Sequence, residues 1–185
     1  MKPHAHDPRR LDVERFAAER GELEGDWPLG ALPRLLASCH EAFRPGAQDQ
    51  VHWSVRGEQR RRAGLGADAW LHFVLAAHVD LTCQRCLSAV RVPLGVDRWF
   101  RFVADEAQAA ALDAESDDDV LASSRSFDLR ELAEDELLLA LPLVPRHEVC
   151  PEPLSAPAEA GDVHSETQAA ESPFAALAAL KRRPH

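Results

Sequence analysis

No apolar run in the 185-residue sequence approaches the roughly 18–20 residues a bilayer-crossing helix needs, and Met1-Lys2-Pro3-His4-Ala5-His6-Asp7 has no hydrophobic stretch of the signal-peptide kind. The expected location is cytoplasmic, with no membrane partner. Also missing are a phosphate-cradling glycine loop, a zinc-protease motif and any Ser/His/Asp grouping that spacing alone would locate, so an enzyme is not expected. Cysteine is scarce. In a reducing compartment the four thiols are expected free or metal-bound rather than disulfide-paired. Thirteen prolines, nine glycines and Ala/Glu/Ser-rich stretches around 104–119 and 151–172 leave an ordered fold of about 120–130 residues.

What charge there is lies unevenly. Residues 1–103 hold 15 Lys/Arg against 13 Asp/Glu, whereas residues 104–148 hold 3 against 13. The net charge of −10 therefore originates in the second block. Such a surface repels nucleic-acid phosphates and complements a basic protein, so any RNA contact is expected through another face or through a partner. The plainer alternative is an acidic, solvated linker.

The pattern along the chain is mixed. A short helix is expected from Leu11 to Glu19, a turn around Gly25-Asp26-Trp27-Pro28, and a second helix through Leu32, Leu35 and Leu36 with Pro33 in its first turn. Cys39 ends that segment as a small buried hydrophobe. From Val51 the period becomes two. Val51, Trp53 and Val55 share one face, and Leu71, Phe73, Leu75, Ala77, Val79 and Leu81 repeat this over residues 70–82, leaving His72 and His78 on the polar side. A third extended stretch runs from Val90 to Val103, where Pro93 demands an edge or a bend. No crossover helix fits between these strands, which makes them antiparallel. Residues 104–126 read as an acidic insert, and Asp128, with Glu131 three residues on, caps a helix running to about 141, where Pro142 stops it. The fold class expected is α+β: a small antiparallel sheet or partly open barrel packed with a long helix at 128–141. A flexible linker at 151–171 and a short helix at 172–183, capped by Ser172 and Pro173 and ending in Lys181-Arg182-Arg183, complete the reading.

Two places concentrate ligand-type side chains, Cys83-x-x-Cys86 and His147-x-x-Cys150. Two thiolates from one tight turn, with an imidazole and a thiolate from another, complete a closed tetrahedral shell for one structural zinc ion. The alternatives are apolar turn cysteines with a solvent-facing His147, or a redox pair at Cys83 and Cys86. The redox pair wants a helix N-terminus or a neighbouring cation; Arg85 supplies the cation, but the chain continues into another strand. Asp117-Asp118-Asp119 invites a divalent metal, yet has neither the glycine nor the alternation of a calcium loop. Arg60-Arg61-Arg62, without interleaved aromatics, reads as solvated strand or turn.

Three stretches in order, Leu81-Thr82-Cys83-Gln84-Arg85-Cys86-Leu87, the run from Asp128 through Leu141-Pro142-Leu143-Val144-Pro145-Arg146-His147 to Cys150, and Ser172-Pro173-Phe174 to Arg182, resemble the YceD-like family, large ribosomal RNA subunit accumulation proteins. The resemblance covers most of residues 10–183, departs by carrying serine at 172, and places a domain at 10–150. It implies a noncatalytic role in synthesis, processing or stability of 23S ribosomal RNA in a bacterial cytoplasm, and brings no catalytic residues. The implied partners are a basic ribosomal or rRNA-processing protein and the pre-50S particle. The acidic block 104–148 would meet the basic partner, and Arg60–Arg62 or Lys181–Arg183 would touch RNA. A metal-dependent ribonuclease using Asp117–Asp119, and a CxxC redox or zinc-stabilised interaction module, are the competing readings.

Overall fold

The computed structural model describes residues 6–62, 66–114 and 119–151. The helix expected at 172–183 lies outside these residues, as do residues 152–171 of the expected linker, Asp117 and Asp118.

Three long strands, β2 (Gln50–Arg62), β3 (Gly66–Thr82) and β4 (Ala89–Val103), pair antiparallel in the middle of a five-stranded sheet. Their period-two apolar rows come into register: Trp53 faces Leu75, which faces Val96, and Leu71 faces Phe100. On one face these rows are closed over by α1 (Val13–Ala18) and α4 (Leu129–Leu139), so that Phe16, Phe73, Phe100, Leu129 and Leu137 are fully buried. At ~25 cal/mol per Å² of apolar surface, each such side chain contributes roughly 1.5–3 kcal/mol, and this layer is the main source of stability. Gly57 permits the close approach of α1, since a Cβ there would lie 2.7 Å from the Phe16 ring and 3.0 Å from the Ala17 backbone.

Four expectations need correction. The stretch read as a turn at 25–28 belongs to strand β1 (Glu22–Pro28), which pairs antiparallel with β2. Its alternation is hidden because the inward row is Leu23, Gly25 and Trp27; the glycine leaves room for the Trp53 indole, which stacks on Trp27 with ring centroids 4.6 Å apart. The acidic insert is partly regular. Asp105 caps α3 (Glu106–Asp113), whose chain returns as β5 (Asp119–Ala122), and Val103, Ala109 and Val120 form a small apolar cluster between them. Because a helix supplies the crossover, β5 pairs parallel with β4, and the sheet is mixed rather than antiparallel, in the open order β1-β2-β3-β4-β5. Finally, α4 has 11 residues and stops at Leu139, so it is not a long helix. Pro142 denies the preceding residue the helical conformation, which ends the last turn early. Pro93 has its free edge: β5 covers only Phe100–Val103 of β4.

A second, short helix, α2 (Pro33–Ala37), has Pro33 at its start as expected but no capping side chain of its own. Its cap comes from α4. Glu134, buried, accepts from the backbone N–H of Arg34 at 2.6 Å and of Leu35 at 3.2 Å, while the Arg34 guanidinium reaches the other carboxylate oxygen at 3.0 Å. Free helix-terminal donors and a buried negative charge thus satisfy one another.

Candidate metal centre

β3 ends by delivering Cys83, buried, into a tight turn. The Cys83 N–H donates to the Ser88 carbonyl at 2.9 Å, the Leu87 N–H donates back to the Cys83 carbonyl at 2.9 Å, and Leu87 takes the left-handed φ of 64° that closes such a turn. The segment leaving α4 comes alongside: the Gln84 N–H donates to the Pro145 carbonyl at 2.8 Å. The result brings one ligand atom from each of Cys83, Cys86, His147 and Cys150 within 4.8 Å of the others. All four residues singled out by spacing are therefore together, and the cluster can hold a metal ion.

Neighbouring groups prepare it for that role. His147 Nε2 lies 3.0 Å from the Ala89 carbonyl oxygen, which only accepts, so Nε2 carries the hydrogen and Nδ1, 3.4 Å from Cys86 Sγ, is the donor atom turned to the thiols. Arg85 Nε donates to Cys150 Sγ at 2.9 Å and its other nitrogen to the His147 carbonyl at 3.2 Å. Burial pushes the Cys83 thiol up, but the backbone N–H groups of Cys86, His147 and Arg85, followed by the His147 ring, outweigh it and bring the pKa to about 5. The Ser88 N–H lowers that of Cys86, whereas burial raises that of Cys150 against the pull of Arg85. The imidazole is raised in turn by Cys83 and then Cys86. A divalent cation bound here would displace the protons carried by the imidazole and by the Cys150 thiol. Three thiolates and one imidazole around a dication leave one net negative charge, beside which Arg85 stands.

The contacts of Arg85 and Ala89 were not visible in the spacing, although a cation inside the CxxC was. Cys39 is apart from the cluster; its S–H points at the Leu35 carbonyl at 3.4 Å, and burial, then Asp80, raises its pKa. No helix opens at Cys86, where the chain passes into β4, so the low Cys83 pKa comes from the N–H groups of the turn and not from a helix N-terminus. Of the acidic triplet, Asp119 is an ion-pair partner of Arg98 at 2.7 Å.

The basic triplet does have aromatic company. On the face of the sheet away from the helices, the Arg60 guanidinium lies 4.2 Å from the Trp70 ring centroid and 4.1 Å from that of Trp99, which also has His72 stacked at 4.6 Å and the Arg56 guanidinium at 5.6 Å. Arg60 also pairs with Glu58. Both the cation and the indoles are thereby engaged within the sheet, which makes this cluster a stabilising stack rather than an open platform for bases.

No solved structure matches the chain. The family model described as large ribosomal RNA subunit accumulation protein YceD matches residues 71–181, from β3 through both halves of the cysteine-histidine cluster and beyond, about three-fifths of the sequence. With that match lying over the strand, the turn and the helix exit that build the cluster, the chain belongs to the YceD family.

Proposed function

We propose that this protein is a noncatalytic factor supporting the accumulation of 23S ribosomal RNA, acting in the cytoplasm through contacts with a ribosomal or rRNA-processing protein on the large-subunit precursor. The family match over residues 71–181 carries this reading. One zinc ion, held by Cys83, Cys86, His147 and Cys150, has a structural part in it: three thiols and one imidazole are the soft donor set that zinc takes in a closed four-coordinate shell, which leaves no position for water or substrate. Glu106, Asp113, Glu131 and Glu148, exposed carboxylates of the acidic block, supply the negative surface for a basic partner. RNA contact is indirect, through that partner.

The reading predicts that cells lacking the protein lose 23S relative to 16S ribosomal RNA, and that the purified chain sediments with large-subunit precursors but leaves a 23S precursor uncleaved. Hydrolysis of that precursor, abolished by changing the 117–119 carboxylates, would replace it with the nuclease reading. Protein purified without chelator should contain one zinc per chain by mass spectrometry, and Cys83→Ser should lose it; a folded, metal-free protein refutes the zinc assignment.

A further inference from the structure

The sheet has two edges, and they differ. On one side β5 is four residues long, and Pro93 interrupts the part of β4 that β5 leaves uncovered. On the other, β1 runs for seven residues in unbroken register with β2. The hydrogen bonds flanking that ladder fix which way its backbone groups point. The Gly57 N–H donates to the Gly21 carbonyl at 2.9 Å and the Leu29 N–H to the Asp49 carbonyl at 2.9 Å. In antiparallel pairing this makes Leu23, Gly25 and Trp27 the residues bonded to β2. The N–H and C=O groups of Glu22, Glu24 and Asp26 therefore face the open edge, and no backbone partner among the described residues meets them.

The same three residues carry the charge of the edge. Their side chains stand exposed on the sheet face away from the helices, while Leu23 and Trp27 are half-buried on the opposite face. The cations nearby are otherwise engaged: His52 pairs with Asp26, His72 with Asp97 at 2.6 Å, and the Arg56 guanidinium lies 5.6 Å from the Trp99 ring centroid. Two adjoining hollows of about 320 and 470 Å³ lie against β1, one bordered by Glu24 and Asp26, the other by Glu22 and Glu24. Their spacing is that of side chains two positions apart on a neighbouring strand. Charge selects the occupant. Pairing β1 with a second copy of itself would set carboxylate against carboxylate along the ladder. A strand with cations at alternate positions meets those carboxylates instead, and its intervening side chains fall beside Leu23, Gly25 and Trp27, where apolar groups fit.

We propose that the open edge of β1 binds an extended protein segment in which basic and apolar side chains alternate, adding it to the sheet as a further strand. This is an acidic site apart from the block at 104–148, and it stands whether or not the partner belongs to the large-subunit precursor.

The test uses the full chain and, as probe, a seven-residue peptide of alternating lysine and valine, matched in length to β1. Binding should slow amide exchange at Glu22, Glu24 and Asp26, read by NMR, and leave that of Leu23, Gly25 and Trp27, already bonded to β2, as it was. A block peptide, with the same lysines followed by the same valines, should bind about tenfold more weakly, and so should the alternating peptide N-methylated along its backbone. Glu22→Gln combined with Glu24→Gln should keep the melting temperature and weaken binding about fivefold. Equal binding of the block peptide reduces the contact to diffuse charge attraction and overturns the site; so do unchanged binding by the doubly altered chain and absence of binding by the unaltered one. Slow exchange of the same three amides in the free chain shows the edge already covered, by residues 152–185 or by a second copy, and overturns it too.

Discussion

Along β3 the inward side chains Leu71, Phe73, Leu75 and Val79 are sealed from water beneath the helices, while past the strand's end Leu87 is 69% exposed. The two regions are continuous in sequence and differ in what orders them. The sheet and its helices are held by apolar area, which is cooperative and indifferent to metal. The turn at the strand end is held by a few backbone hydrogen bonds and one arginine, around four ligand atoms that one ion would tie together, and what lies around it faces outward. A chain arranged in this way keeps a rigid body and presents, at one end, a surface that binding of the proposed ion would order.

That contrast is open to attack at several points. The largest effect should come from Phe73→Ala, which removes a fully buried ring from the middle of the central strand: a loss of about 3–5 kcal/mol in denaturant unfolding, with the folded fraction still binding metal. Chelation should do the reverse, accelerating amide exchange at residues 83–89 and 143–150 while Leu71 to Val79 stay protected; global unfolding on chelation would show that the two regions are one cooperative unit. Glu134→Ala should cost about 1–3 kcal/mol, because two helix-terminal N–H groups and Arg34 lose their shared acceptor, and should leave metal affinity unchanged. Arg85→Ala is the complementary case, lowering metal affinity by about ten- to a hundredfold in competition with a chromophoric chelator while barely moving the unfolding midpoint.

The smallest expected effect is one of pH. The N–H of Gly46, then the guanidinium of Arg91, hold the Asp49 carboxyl below its ordinary value. A lowered folded-state pKa stabilises the fold above the unfolded value and is lost as pH falls through the folded one. Asp49→Asn should therefore lower stability at neutral pH and leave the acid end nearly where it was, so that the curve between them flattens. An unchanged slope between them would remove Asp49 from the account.

The sequence displayed some of this more clearly than the rest. β3 was legible because residues 70–82 alternate almost without interruption, and Asp128 was legible as a cap because capping is local; its carboxylate receives the Arg130 N–H at 2.9 Å. The four ligands were legible because thiols and imidazole are rare enough for their spacing to stand out. β1 was hidden by a glycine and three carboxylates in seven residues, although Leu23, Gly25 and Trp27 do alternate. α3 and β5 were hidden because alanine favours a helix without drawing an apolar stripe, and the aspartates before β5 do not mark a strand, until Val103 and Val120 are brought together. Glu134 could not have been assigned at all from local pattern. Its partners lie about a hundred residues earlier and become neighbours only when α2 and α4 pack.

The four tryptophans all lie in the sheet, with Trp27 and Trp53 stacked against one another and Trp70 and Trp99 on either side of Arg60, and the sequence has no tyrosine. Intrinsic fluorescence of this protein is thus an optical report on β1 to β4 and carries no chromophore in the cysteine-histidine turn. With cobalt in place of the proposed zinc, emission and thiolate–metal charge-transfer absorbance would follow separate halves of the molecule, and the gap between their transitions would measure how far one half can open while the other stays shut.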